Sequence, residues 1–135
     1  MKLNKEEKRS LVSLANEARR RAYAPYSNYR VGAALRTKSG RIFTGVNVES
    51  AAYPTTMCAE RVAVFKAVSE GELDFDVIAV VTENGGSPCG SCRQVLAEFG
   101  LKTLVLLADG KENLVKEMTV ADLLPEAFTP DKMNK

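Results

Sequence analysis

The chain has 135 residues, 45% of them hydrophobic, and 19 Lys and Arg against 17 Asp and Glu leave a formal charge of only +2. That length fits one domain, residues 1–135, with a core that needs no disulfide staple, and so weak a charge opposes a nucleic-acid partner. Apolar runs such as Val77–Val81 and Leu104–Ala108 fall far short of the roughly twenty residues of a membrane span, and the densely charged residues 2–9 leave no secretory h-region, so a cytoplasmic protein with no membrane partner is expected.

In chain order, Leu11, Leu14, Ala15, Ala18 and Ala22 form one apolar stripe at i, i+3, i+4, i+7 and i+11, which predicts a helix. Asn4 can cap its start and Pro25 forbids its continuation. Arg19-Arg20-Arg21 on that helix reads as a solvated face and not as a phosphate site, because three successive residues point in different directions. Tyr29–Arg36 and Arg41–Val46, joined by Lys38-Ser39-Gly40, predict a β-hairpin.

A second helix is expected from Thr55 or Thr56 to about Glu70, closed by Gly71. Val62, Ala63, Val64, Phe65, Ala67 and Val68 surround most of its circumference, so it has to be covered on more than one side, by a sheet, a subunit interface or both. Val77–Val81 predicts a fully covered strand. Ser87-Pro88 predicts the start of a third helix, with Ser87 as cap, that Gly100 stops. Leu104–Ala108 and Leu114–Met118 read as further strands around Asp109-Gly110, and Thr119-Val120-Ala121-Asp122 opens a short last helix ending at Pro125. This order predicts an α/β fold of three layers, α/β/α, around one mixed five-stranded sheet.

The chain has no His, which removes Ser-His-Asp and Cys-His nucleophile systems and every His-ligated metal site. Three cysteines, Cys58, Cys89 and Cys92, are an odd number in a chain without an export signal, and point to a metal or a reactive thiol. Cys89-Gly90-Ser91-Cys92 at a helix start puts two thiols on one face, with Cβ atoms about 5–6 Å apart. Tetrahedral zinc with bonds near 2.3 Å asks for sulfurs roughly 3.7 Å apart, within reach of that pair. The first turn of a helix also favours the thiolate form. Alone, such a pair fits a redox dithiol or chance equally well.

Cys58-Ala59-Glu60-Arg61 adds a third thiol, a carboxylate and a cation at another helix start. If the two starts converge, three thiolates hold one zinc ion with its fourth position open, which is the catalytic pattern. A structural site would need a fourth soft ligand that the sequence lacks. Arg61 can offset the thiolate charge by donating to the sulfurs, or sit in a surface ion pair. Glu60 can carry a proton between water and substrate, or simply complement the helix dipole.

The pair C-A-E and P-C-x-x-C resembles the zinc-dependent nucleoside and nucleobase deaminases. Val31-Gly-Ala-Ala-Leu35, Gly45-Val-Asn-Val-Glu49, Ala51-Ala-Tyr53, Phe65-Lys-Ala-Val-Ser-Glu-Gly71, Ser87-Pro-Cys-Gly-Ser-Cys-Arg-Gln94 and Leu123-Leu-Pro125 are similar to the small homotetrameric cytidine deaminases, from about Tyr23 to Phe128. The resemblance implies a cytidine deaminase-like fold, a homotetramer and hydrolytic deamination of cytidine or deoxycytidine, in pyrimidine salvage, to uridine or deoxyuridine and ammonia. It also implies Cys58, Cys89 and Cys92 as ligands of Zn2+, Glu60 as proton shuttle and a small nucleoside as partner.

Further along the same likeness, Asn47 and Glu49 hold the sugar hydroxyls, as an amide and a carboxylate two residues apart on an extended segment project to one side. Ala59 joins the substrate-binding set. Tyr29, where the family commonly has Phe, would lie along the pyrimidine ring, while Tyr53 and Phe128 would reach a neighbouring subunit's site. For these three aromatics, core or interface packing is the competing reading. The alternative on the same zinc motifs is a deaminase of a blasticidin-type nucleoside antibiotic, against which Asn47-Val48-Glu49 favours a nucleoside. An enzyme editing nucleic acid is opposed by the weak charge and the absence of Trp.

Overall fold

The computed structural model describes residues 3–133, so Met1, Lys2, Asn134 and Lys135 of the expected 1–135 domain lie outside the described residues. Asn4 opens α1 (Lys5–Arg19) through a capping box with Glu7. The helix ends a turn before Ala22, and its buried face is Leu11, Val12, Ala15 and Ala18, with Leu14 exposed. The face meeting the sheet is centred near Ala15, which takes Val12 in and leaves Leu14 at its margin.

The hairpin is β1 (Gly32–Thr37) and β2 (Ile42–Val46), antiparallel with Leu35 opposite Phe43. Its first strand begins at Gly32 and not at the expected Tyr29. Between these residues the Asn47 side chain takes the main chain over, accepting from the Val31 N–H and donating to the Tyr29 carbonyl. A separate 3-10 turn spans Tyr53–Thr55, and α2 (Ala59–Ser69) starts later than Thr55 or Thr56, with Cys58 at its N-cap. Met57 pairs with Val48 in an isolated bridge, which keeps the chain extended up to Cys58.

After β3 (Phe75–Val81) comes α3 (Gly90–Glu98), whose N-cap is Cys89 rather than Ser87. The Ser87 hydroxyl instead accepts a hydrogen bond from Arg93 Nη2. Then follow β4 (Leu104–Ala108), β5 (Leu114–Thr119) and α4 (Val120–Leu123), the last capped by Thr119 and Asp122 as expected. A second 3-10 turn spans Pro130–Met133.

The strands form one sheet in the order β2-β1-β3-β4-β5, in which β3 and β4 are parallel and the other pairs antiparallel. Helix α1 covers one face, over Ala34, Val77, Ala79, Val81, Leu106 and Ala108. The other face, with Ala33, Leu35, Ile78, Val80, Val105 and Leu107, packs against α2, α3 and α4. Both sides of β3 are therefore buried, which explains its unbroken apolar run. The three-layer α/β/α architecture expected from the sequence is the one observed.

Two glycines let the helices lie directly on the hairpin. A Cβ at Gly32 would stand 2.1 Å from the Ala15 carbonyl oxygen, and one at Gly45 would stand 2.4 Å from that of Ala59. Close packing at Gly45 fixes where α2 starts, and hence where Cys58 sits. The outward side of α2 is not covered by the described residues: Phe65 is 46% exposed. Among the described residues no helix is long and apolar enough to cross a membrane.

Candidate active site

The starts of α2 and α3 converge. Cys58 and Cys89 are the two N-cap residues and Cys92 lies in the first turn of α3, so all three sulfurs gather at dipole-positive helix ends. The three Sγ atoms lie within 4.8 Å of one another, with Cys58 to Cys89 at 3.8 Å and Cys89 to Cys92 at 3.5 Å. Those spacings fit the roughly 3.7 Å that a tetrahedral zinc ion asks of its sulfurs. Cys92 is buried, Cys58 half-buried and Cys89 exposed, so the cluster opens to solvent on one side.

Charge also fits a cation here. The Cys92 thiol shared with Cys58, helped by the Arg61 guanidinium, draws the Cys58 thiol down to about 5. That same sharing, together with burial, pushes Cys92 up. Arg61 Nη2 stands 3.4 Å from Cys58 Sγ, and its Nε is buried without a partner. Arg61 thus faces the sulfurs and makes no surface ion pair among the described residues. A divalent cation offsets two thiolate charges and Arg61 the third.

Glu60 is 5% exposed in the first turn of α2, and burial pushes its carboxyl up to about 7. A carboxylate placed only to complement the helix dipole would stay in solvent. Ala59, before it, is fully buried against Gly45.

The sugar-binding candidates follow β2. Val48 exchanges two 2.9 Å main-chain hydrogen bonds with Met57, the residue before Cys58, and this bridge sets the Asn47–Glu49 segment beside the one that enters Cys58. Asn47 is only 8% exposed. Its Oδ1 accepts from the Val31 N–H at 2.9 Å and its Nδ2 donates to the Tyr29 carbonyl at 2.8 Å, which leaves one amide hydrogen and one lone pair for a ligand. Glu49 accepts the N–H groups of Tyr26 and Ser27 on Oε1 and the Ser27 hydroxyl on Oε2. The Ser27 hydroxyl beside Glu49, with these N–H groups, holds its carboxyl below the usual carboxylate range.

A cavity of about 390 Å³ is lined by Tyr26, Ser27, Glu49, Ser50, Tyr53 and Thr56. Tyr53 stands edge-on to Tyr26 with ring centroids 6.0 Å apart, and is 70% exposed. Tyr29 has its main chain on Asn47 and its hydroxyl on Asn84 Oδ1 at 2.8 Å. Phe128 is not brought to this cavity. It is 60% exposed, and its carbonyl accepts from Gln94 of α3. Sequence reasoning missed Ser27 and Asn84, both short polar residues in turn-rich stretches whose partners are distant in the chain.

Three thiols able to hold zinc beside a buried carboxyl make this the site of a zinc-dependent hydrolase. Residues 5–108 match the family model described as the cytidine and deoxycytidylate deaminase zinc-binding region. The chain is 45% identical over 126 residues to a cytidine deaminase of Sporosarcina psychrophila, covering 92% of this chain and 93% of that one. It is similar to the crystal structure of cytidine deaminase from Burkholderia pseudomallei, with a TM-score of 0.85 at 43% identity over 93% of this chain and 100% of that chain. Blasticidin-S deaminase of Bacillus cereus stands at 36% identity over 130 residues, covering 88% of this chain and 90% of that one. The chain belongs to the cytidine and deoxycytidylate deaminase family.

Proposed function

We propose that this protein hydrolyses the exocyclic amine of cytidine and deoxycytidine, yielding uridine or deoxyuridine and ammonia. The observation that carries the reading is the meeting of Cys58 with Cys89 and Cys92 beside the buried Glu60. Cys58, Cys89 and Cys92 would hold zinc, which when bound would supply the Lewis acidity that brings the pKa of water from about 15.7 towards 7.

Glu60 takes a proton from the attacking water and delivers it to N3 of the pyrimidine as the oxygen bonds to C4. The proton remaining on that oxygen passes through Glu60 to the amine. The C4–N bond then breaks, ammonia leaves, and C4 keeps a carbonyl. Arg61, on the Cys58 sulfur, balances charge without entering the proton path. Asn47 and Glu49 bind the sugar hydroxyls with the donor and acceptor capacity left over from their own hydrogen bonds. The Tyr29 ring lies along the base, while Ala59, fully buried against Gly45, seats the α2 start from behind and offers the substrate no side-chain surface.

A homotetramer in the cytoplasm completes the reading. The tetramer is supported by the uncovered Phe65 side of α2 and by the exposure of Tyr53 and Phe128, aromatics that a neighbouring subunit would cover.

The deciding experiment measures zinc per chain together with ammonia release from cytidine, deoxycytidine, free cytosine and blasticidin S. One zinc per chain with turnover of the two nucleosides above the other compounds is expected. Turnover of blasticidin S alone would transfer the assignment to the antibiotic, and metal without any turnover would remove the enzymatic reading. Solution mass tests the tetramer.

A further inference from the structure

Tyr29 belongs to neither a helix nor a strand, yet both of its ends are held. It follows Asn28, whose φ of +59° turns the chain through the left-handed region that Asn tolerates. The Tyr29 N–H donates to the Ser27 hydroxyl at 3.0 Å, and that hydroxyl donates in turn to Glu49. Its carbonyl accepts from Asn47 Nδ2 at 2.8 Å. The main chain of Tyr29 is thus wired to both sugar-binding candidates.

The side chain leads away to the metal half. Its hydroxyl donates to Asn84 Oδ1 at 2.8 Å, and the same oxygen accepts the Thr82 hydroxyl at 3.3 Å. Thr82 is buried and its Oγ1 accepts the Gly86 N–H at 2.8 Å, three residues before Cys89. Asn84 is itself anchored by a bridge to Asp109.

Gly86 records the passage of the phenol. A Cβ there would stand 2.8 Å from the Tyr29 hydroxyl oxygen and 3.5 Å from Asn84 Oδ1, so this position is kept bare for the hydroxyl. A ring that only filled space would need neither the bare position nor an acceptor aimed at its oxygen.

We propose that the Tyr29 hydroxyl and Asn84 form a positioning strut, which holds the sugar end of the cleft at a set distance from the segment entering Cys89. Asn84 and the Tyr29 hydroxyl act here through the residues they hold, whereas the ring, which would lie along the base, is kept in Tyr29→Phe. The inference rests on the nucleoside reading above. A strut of this kind shapes the cleft equally for ground state and transition state, so its loss acts on substrate affinity and leaves the chemical step intact.

The test compares Tyr29→Phe, Asn84→Ala, their double variant, Gly86→Ala and Tyr29→Phe/Gly86→Ala. It reads KM and kcat for cytidine, calorimetric Kd for uridine, zinc per chain and Tm. Each single change should raise KM and the uridine Kd about fivefold, with kcat within about twofold, as the loss of one net hydrogen bond would. The Tyr29→Phe/Asn84→Ala double should be no worse than its parents. Gly86→Ala should cost nothing further once the hydroxyl is gone, because the atom it collides with has been removed.

A fall in Tm with KM and Kd unmoved, or effects that simply add in the doubles, overturns the strut. Wild-type protein that leaves cytidine unchanged sinks the functional reading and the strut with it. Wild-type turnover with unaltered affinity in the variants sinks the strut alone.

Discussion

The two halves of the proposed nucleoside site are built on opposite principles. The metal half stands on the starts of two helices, where Cys58, Cys89 and Cys92 are placed by helix geometry and by core packing at Gly45. The proposed sugar half stands on irregular chain, where Asn47 and Glu49 are held by individual hydrogen bonds from Val31, Tyr26 and Ser27. Helix packing tolerates no compromise in position, whereas a hydrogen-bonded loop can shift by fractions of an ångström. Damage to the first half should therefore abolish chemistry or stability, and damage to the second should grade affinity.

The sharpest way to break that contrast is Glu60→Ala. Turnover should fall by about 100- to 10,000-fold, the usual span for a lost general acid–base group, while zinc per chain stays at the wild-type value. Near-normal kcat would take Glu60 out of the chemistry. Cys92→Ala should instead lose the metal itself, and metal analysis distinguishes the two.

Gly45→Ala tests the packing beneath the metal half. The added Cβ meets main-chain atoms, the Ala59 carbonyl oxygen at 2.4 Å and the Ala63 nitrogen at 2.6 Å, which cannot swing aside. A loss of about 1–3 kcal/mol in unfolding free energy is expected, read as a lowered denaturation midpoint. Unchanged stability would mean that α2 moves freely on the hairpin.

In the sugar half, Ser27→Ala should give the smallest effect, and one that depends on pH. Ser27 lowers the Glu49 carboxyl in the folded protein. The favourable contribution of a carboxyl so depressed is present above its unfolded-state pKa and fades as pH falls through the lower folded value. Without Ser27 the charge is lost at higher pH, so KM for cytidine should begin to climb earlier on acidification, with kcat at neutral pH nearly unchanged. Parallel acid limbs in variant and wild type would show that Ser27 does not tune Glu49.

Legibility in the sequence followed the same division. Asn4, Thr119 and Asp122 announce helix starts through their caps, and the observed caps use those residues. Ser87 carries the same signal and does not cap α3, because Arg93 is close enough to engage its hydroxyl and Cys89 takes the cap position. Thr55 and Thr56 mislead similarly: the bridge between Val48 and Met57 outcompetes an earlier helix start. Tyr29 has the composition of a strand residue, but Asn47 satisfies its main chain from the side. Each miss is a local preference overridden by a partner outside the immediate turn, 6 to 18 positions away.

Spacing and residue type were sufficient to specify three zinc-competent thiols, a carboxylate and an arginine at helix starts, and a strand with the unbroken apolar run of one covered on both sides, since each of these signals lies within a few residues. Tertiary structure alone decided that Cys58 meets the Cys89–Cys92 pair, that Ser27 holds Glu49, and that the Tyr29 hydroxyl finds Asn84. Those contacts join residues 22 to 55 positions apart, and a hydrogen bond or a sulfur cluster has no periodic trace along the chain before packing closes the distance.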